Sequence, residues 1–180
     1  MRLILILLLF LLGLTSNAQF TKAALQASGL TCSMCSKAVK NALEKVSFVD
    51  KVLVDIKNQQ YNFSFKENVD IDFDALSKAV EDAGFSVADL KVTADLGDTK
   101  VSKDEHILIG GKYFHFLNTT NQQLKGSTTF TIVDKNFVSA KGFKKYSKAS
   151  SMECVQTGRA SSCCKKLNIE PQTRIYHVII

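Results

Sequence analysis

Apolar and polar residues alternate between residues 23 and 92 with a period that changes several times. The apolar stretch 23–30 predicts a strand, and apolar positions spaced by about 3.6 residues predict a helix from about residue 31 to residue 46. Strict alternation over 49–56 and over 61–65 predicts two strands joined by a turn. Helical spacing returns over 70–83, where Gly84 is a natural helix end, and a strand follows over 85–92. The predicted order is strand, helix, strand, strand, helix, strand.

This order is the split βαβ arrangement of the ferredoxin-like fold. We therefore predict an α+β chain that begins with a ferredoxin-like βαββαβ domain at residues 19–93. Residues 94–104 are polar and include Gly97-Asp98, which predicts a linker. Beyond it, strand patterns at 106–109, 113–117, 128–133 and 174–180, with a helical pattern at 139–150, predict a small β-rich domain with one helix at residues 105–180. The pattern does not assign its topology.

The first 18 residues have the composition of a secretory signal peptide. A short positive start at Met1-Arg2 precedes an apolar run over 3–14, and Ser16 and Ala18 place small residues before a cleavage site. The run is too short for a membrane span, which needs about 20 apolar residues. We expect cleavage after Ala18 and a secreted or periplasmic protein whose mature chain has no membrane span.

The charge is spread unevenly along the chain. The whole sequence has a formal net charge of +6; residues 19–94 carry −1 and residues 95–180 carry +6. This asymmetry suggests two units with different partners. The basic residues of the C-terminal part are interpreted first as solvated surface, and the alternative is that this part docks on an acidic protein surface. The lysines of that part are scattered and are not interleaved with aromatic residues, so the pattern argues against a nucleic-acid-binding protein.

The candidate chemistry lies in Cys32-Ser33-Met34-Cys35, at the first predicted junction between a strand and a helix. Thiolates are soft ligands that select ions such as Cu(I), Hg(II), Cd(II) or Zn(II). A helix N-terminus and a Cys-x-x-Cys setting both lower the thiol pKa. Zn(II) prefers four ligands, and residues 19–94 contain no histidine and no third cysteine, so the favoured ion is Cu(I). An inert disulfide, which an exported compartment favours, and a thiol–disulfide redox pair remain as alternatives.

The stretch Gly29-Leu30-Thr31-Cys32-Ser33-Met34-Cys35 resembles the Gly-Met-Thr-Cys-x-x-Cys motif of the heavy-metal-associated domain. The resemblance extends over about residues 22–92 and includes Ala83-Gly84-Phe85 near the end of the second predicted helix. Members of this family include copper chaperones, the N-terminal modules of copper-pumping ATPases and a periplasmic mercury-binding protein. The resemblance implies that Cys32 and Cys35 bind a metal ion and exchange it with a donor or acceptor protein. Hg(II) or another soft metal is the alternative to Cu(I).

Three further cysteines lie late in the chain: Cys154, Cys163 and Cys164. One interpretation is a disulfide from Cys154 to one of the adjacent pair, which export favours. The other is a second thiolate metal cluster formed by all three. Three histidines in strand-like segments, His106, His115 and His177, receive no role. No set of residues with catalytic spacing can be assembled, so we expect no enzyme, no catalytic residues and no cofactor site other than metal.

Overall fold

The computed structural model describes residues 19–180, so the predicted signal peptide at 1–18 lies outside the described residues. The strands are β1 (Gln19–Ser28), β2 (Val49–Asp55), β3 (Gln60–Phe65), β4 (Ser86–Val101), β5 (His106–Ile109), β6 (Lys112–Phe116), β7 (Gln122–Ile132) and β8 (Ile175–Ile179). The helices are α1 (Ser33–Glu44), α2 (Phe73–Asp82), α3 (Ala140–Tyr146) and α4 (Cys154–Thr157), followed by a 3₁₀ helix at Ser162–Leu167.

All eight of these strands belong to one sheet, in the order β2-β3-β1-β4-β7-β8-β6-β5. The first four strands, with α1 and α2, have the βαββαβ order predicted from the sequence. Strand β4 pairs with β1 on one edge and with β7 on the other, antiparallel in both cases. Strands β6 and β8 are parallel, and β5 closes that end of the sheet as the antiparallel partner of β6.

Strand β4 differs most from the sequence-based prediction. Residues 94–101, predicted as part of a linker, continue β4 and pair with β7 from Ala94–Thr128 to Val101–Gln122. The side chains of Ala94, Leu96 and Val101 are buried. Polar residues on the other face of a half-buried strand made this segment look like a loop. The boundary predicted at 94–104 therefore falls largely inside a strand that spans both parts of the chain.

The main core also combines the two parts. The ring of Phe73, at the start of α2, lies with its centroid 5.0 Å from that of Phe20, 6.1 Å from that of Phe114 and 5.2 Å from that of Tyr176. These are the distances of favourable aromatic pairs. Because Phe114 and Tyr176 lie on β6 and β8, the ferredoxin-like segment packs directly on the C-terminal strands.

A second, smaller cluster of buried residues lies beneath α4 and the 3₁₀ helix and includes Cys154 and Cys164. The sequence predicts one helix over 139–150 in this region, whereas α3 is shorter, and α4 and the 3₁₀ helix are additional. Four to six residues are too few to show a helical period, so the pattern could not reveal these two turns.

Candidate metal centres

The first candidate centre is the loop that connects β1 to α1. Gly29 follows β1 with a φ of +87°, a left-handed conformation that favours glycine, and a Cβ atom there would lie 3.7 Å from Cδ1 of Phe85. Cys32 is extended, with φ −154° and ψ 167°, and caps α1 by accepting a hydrogen bond from the backbone N–H of Cys35 at 3.4 Å. The chain thus places one thiol just before the helix and the other in its first turn.

The two sulfur atoms lie 3.0 Å apart, and Cys32 is exposed while Cys35 is partly exposed. The pKa of Cys35 is lowered to about 7, mainly by a hydrogen bond from the Cys32 side chain and, to a smaller extent, by one from the Thr31 backbone. A large fraction of this thiol is therefore ionised at neutral pH, as a metal ligand or nucleophile requires. The pair can hold one soft ion between two sulfurs while leaving its outer side open to a further ligand.

The surroundings of the pair are apolar and basic. Met34 is 73% exposed and Ile56, on the neighbouring turn, is 84% exposed. Lys37 and Lys40 line the groove beside Cys32. The first turn of α1 is anchored from below, because the hydroxyl of buried Tyr61 donates to the backbone oxygen of Ser36 at 3.2 Å. The loop that carries Cys32 and Cys35 is therefore held in place at the start of α1 and lies on an accessible surface.

The second candidate centre brings together the three late cysteines. Cys154 and Cys164 are buried and Cys163 is partly buried; the Sγ atoms of Cys163 and Cys164 lie 3.4 Å apart. The three sulfurs all lie within 4.8 Å of one another. All five cysteines of the chain are free thiols in this structure.

The structure adds two histidines that the sequence analysis left without a role. Nε2 of His106 lies 3.6 Å from Sγ of Cys154 and 3.7 Å from Sγ of Cys164. Nδ1 of His115 lies 3.9 Å from Sγ of Cys154. The two imidazole rings stack with centroids 4.6 Å apart. The buried centre thus contains nitrogen as well as sulfur ligands.

The sequence did contain a signal for this histidine pair. His106 and His115 lie at equal distances from the Gly110-Gly111 turn between β5 and β6, and they are direct partners in that hairpin. Cross-strand partners point to the same face of a sheet. His177 is the partner of His115 on β8, so all three histidines line one face. Separation along the chain was the wrong criterion, because a hairpin brings its two ends together.

Burial determines the protonation of the groups in this second centre. It lowers the pKa of His106 to about 4 and, with a smaller contribution from nearby His177, that of His115 to about 4. Burial also raises the pKa of the Cys154 and Cys164 thiols. For Cys163 burial acts in the same direction, but hydrogen bonds, of which that with the Ser161 hydroxyl is the largest, outweigh it and lower the pKa to about 7. The imidazoles are therefore neutral, as ligands must be.

His177 belongs to a separate ionic network on the same face. Its Nδ1 lies 2.6 Å from Oδ1 of Asp134, and Nη1 of Arg174 lies 3.0 Å from the other oxygen of that carboxylate. Arg174 also donates two hydrogen bonds to Asp74, at 2.7 Å from Nε and 2.9 Å from Nη2. Sequence reasoning did not find this network, which joins α2 to the strands of the C-terminal part.

Comparison with known proteins matches the segment of the chain that contains Cys32 and Cys35. Residues 24–86 match the family model of the heavy-metal-associated domain, which confirms the resemblance drawn from the motif. A copper-transporting ATPase of Helicobacter pylori is 34% identical over 65 residues, which are 36% of this chain and 9% of the ATPase. A probable copper-exporting P-type ATPase of Archaeoglobus fulgidus is 32% identical over 62 residues, which are 34% of this chain and 8% of that protein. The chain thus spans less than a tenth of the length of these relatives.

Among solved structures, oxidized MerP from Ralstonia metallidurans CH34 is 32% identical, with a TM-score of 0.33; the match covers 39% of this chain and 94% of that one. Within residues 19–180, no helix is both long enough and apolar enough to cross a membrane.

Proposed function

We propose that this chain, whose residues 24–86 form a heavy-metal-associated domain, binds Cu(I) between Cys32 and Cys35 and exchanges it with a partner protein. The observation that carries the proposal is the exposed pair of thiols at the start of α1, one of which has a pKa of about 7. Two thiolates suit Cu(I), which accepts few ligands, better than Zn(II), which requires four.

The exposure of Cys32 and Cys35 favours transfer of the bound metal ion to another protein over its storage. Because the outer side of the pair is open, a thiol of a donor or acceptor protein can join the ion before Cys32 or Cys35 leaves it. The apolar side chains of Met34 and Ile56 and the basic side chains of Lys37 and Lys40 surround the loop. They suit a partner surface that combines apolar contacts with acidic residues. The partner is a metal donor or acceptor of that kind, and the chain itself is not an enzyme.

We place this function outside the cytoplasm, in a periplasm or an equivalent space. The support is the sequence pattern of residues 1–18, with cleavage expected after Ala18. Such a compartment favours disulfides, so Cys32 and Cys35 must be kept reduced, or protected by the metal itself, in order to function. The role there would be delivery, sequestration or resistance.

The test is Cu(I) titration of the reduced protein under anaerobic conditions, in competition with a chromophoric Cu(I) chelator. The thiols of the second centre also bind soft ions, so the comparison requires two variants. Cys32→Ser should weaken the tightest Cu(I) binding by more than the roughly 10–100-fold that loss of a supporting group costs a metal site. The matched control Cys163→Ser should leave that binding unchanged. Equal retention of Cu(I) by wild type and Cys32→Ser would overturn the proposal.

Hg(II) binding by the same two sulfurs is the alternative within this class of function, since a thiolate pair accepts both ions. The same titration with Hg(II) tests it: displacement of bound Hg(II) by equimolar Cu(I) supports copper as the preferred ion.

The rival from another class is a thiol–disulfide redox protein that uses Cys32 and Cys35. That rival requires reduction of a substrate disulfide at a useful rate, and a reductase assay without turnover would exclude it.

A further inference from the structure

The buried centre beneath α4 differs from the first candidate centre because it combines imidazole and thiol groups. We propose that His106, His115, Cys154 and Cys164 bind one Zn(II) ion in a closed tetrahedron. The proposal does not depend on the function of Cys32 and Cys35. The sequence suggested the three late cysteines as a metal cluster, and the structure brings them together. This proposal keeps Cys154 and Cys164 and takes the two histidines in place of Cys163.

Three of the six distances between the four ligand atoms are close to this geometry before any ion is bound. Zn–S bonds of about 2.3 Å and Zn–N bonds of about 2.0–2.1 Å at tetrahedral angles give sulfur–nitrogen separations of about 3.5–3.6 Å. The observed separations are 3.6 Å from His106 to Cys154, 3.7 Å from His106 to Cys164 and 3.9 Å from His115 to Cys154. The ligand atoms of His106 and His115 lie within 4.8 Å of each other, as do those of Cys154 and Cys164, and binding of the ion would draw all four together.

The net charge of the ion with its ligands favours two cysteines and two histidines over the three cysteines. Two thiolates neutralise a divalent ion, whereas three leave a net negative charge, and a buried net charge is costly. Cys154, Cys164 and His115 are buried. Cys163 is only partly buried, and its Sγ lies 3.3 Å from the hydroxyl of Ser161. Cys163 therefore lies at the rim of the site and is not a ligand in this proposal.

A carboxylate already orients one of the imidazoles. Nε2 of His115 lies 3.2 Å from Oδ1 of Asp104, which leaves the Nδ1 lone pair directed towards Cys154. A carboxylate that accepts a hydrogen bond from the distal nitrogen of a ligand histidine is the usual support of a zinc site. Asp104 has 38% of its side chain exposed, so it can be changed without disturbing the core.

The ligands also come from two separate parts of the fold. His106 and His115 lie on the β5–β6 hairpin, while Cys154 and Cys164 lie in α4 and the 3₁₀ helix. One ion would fasten this irregular segment to the sheet. In this proposal protein ligands fill all four coordination positions and the site is enclosed, which is typical of a structural metal that stays in place. The exposed pair at Cys32 and Cys35 differs in both respects.

The experiment uses the full chain with Cys32→Ser and Cys35→Ser, reduced and free of metal, so that only the second centre can respond. Zn(II) is titrated against a chromophoric chelator, Co(II) is used as a spectroscopic substitute, and X-ray absorption counts the sulfur and nitrogen ligands. We expect one equivalent of Zn(II), a tetrahedral Co(II) spectrum with thiolate charge transfer, and two sulfurs with two nitrogens around the metal.

Variants in the same background test the assignment of ligands. Cys164→Ser and His106→Gln should each weaken Zn(II) binding by more than about 100-fold, and Asp104→Asn by about 10–100-fold. Cys163→Ser is the matched control and should leave the affinity unchanged. Should a ligand variant fail to fold, the Asp104→Asn result and the ligand count of the parent still decide the question.

Three results would overturn the proposal: no Zn(II) bound when all three thiols are reduced, three sulfurs around the metal, or a loss in Cys163→Ser equal to that in Cys164→Ser. Binding of Cu(I) without any binding of Zn(II) would likewise refute the choice of ion. None of these results bears on Cu(I) binding at Cys32 and Cys35, because both residues are replaced in the protein used.

Discussion

Arg174 connects the ferredoxin-like segment to the C-terminal strands, and its removal is the most direct test of how the two parts depend on each other. Its guanidinium binds Asp74 on α2 through two hydrogen bonds and contacts Asp134 at 3.0 Å. It also lies over the ring of Tyr176, with Cζ 4.1 Å from the ring centroid. In Arg174→Met, the apolar stem keeps much of its packing while the charge and its hydrogen bonds are lost.

The expected loss in the free energy of unfolding depends on how deeply Arg174 and its partners are buried. Removing one member of a fully buried ion pair costs about 3–5 kcal/mol, because the remaining charge has no partner. Here the Arg174 side chain is 23% exposed and that of Asp74 is 37% exposed, so water partly compensates. Among the residues that the structure describes, the side chain of Asp134, with 8% exposure, would keep only His177 as a partner. We therefore expect Arg174→Met to lower the free energy of unfolding by about 2–3 kcal/mol.

The assay is equilibrium unfolding in urea, followed by circular dichroism and by intrinsic tyrosine fluorescence. The matched control is Lys78→Met, which breaks a pair with Asp82 whose side chains are 73% and 63% exposed and which should cost less than about 0.5 kcal/mol. A double-mutant cycle with Asp74→Asn should give a coupling energy of about 1–2 kcal/mol. The reasoning fails if Arg174→Met costs no more than Lys78→Met, or if the two halves of the chain unfold in separate transitions.

Three further predictions concern the core and the metal loop. Phe73→Ala removes a ring shared by both parts of the core and should cost about 3–5 kcal/mol in urea unfolding while leaving one transition; two transitions would contradict a common core. Tyr61→Phe removes the hydroxyl that donates a hydrogen bond to the backbone oxygen of Ser36, and it should lower the free energy of unfolding in urea by about 1 kcal/mol. An unchanged urea midpoint would show that this hydrogen bond contributes nothing to stability. Gly29→Ala should cost about 1–2 kcal/mol because φ is +87° there, whereas Gly142→Ala, within α3, should cost less; equal losses would refute the conformational argument.

Local sequence patterns are sufficient to predict the ferredoxin-like segment and the position of Cys32 and Cys35 within it. Apart from β4, which continues to Val101, the helices and strands of this segment are short and are bounded by local signals, such as Gly84 at the end of α2. Hydrophobic period and turn residues are local properties, so they can be recognised without knowledge of tertiary contacts. The position of Cys32 and Cys35 at the start of α1 followed directly, because both residues lie within one short stretch of chain.

The second centre, and the single sheet that joins both parts of the chain, depend on tertiary contacts. Residues 94–101 of β4 looked like part of a linker because their role as a strand depends on β7, whose pairing with them no local pattern reveals. His106 and Cys154 lie 48 positions apart in sequence, yet their side chains are 3.6 Å apart. Bringing them together requires the β5–β6 hairpin, the parallel pairing of β6 with β8, and a short helix that has no detectable period. Residue spacing about the Gly110-Gly111 turn can indicate the pairing of His106 with His115, but their approach to the cysteines arises from contacts that are distant in the chain.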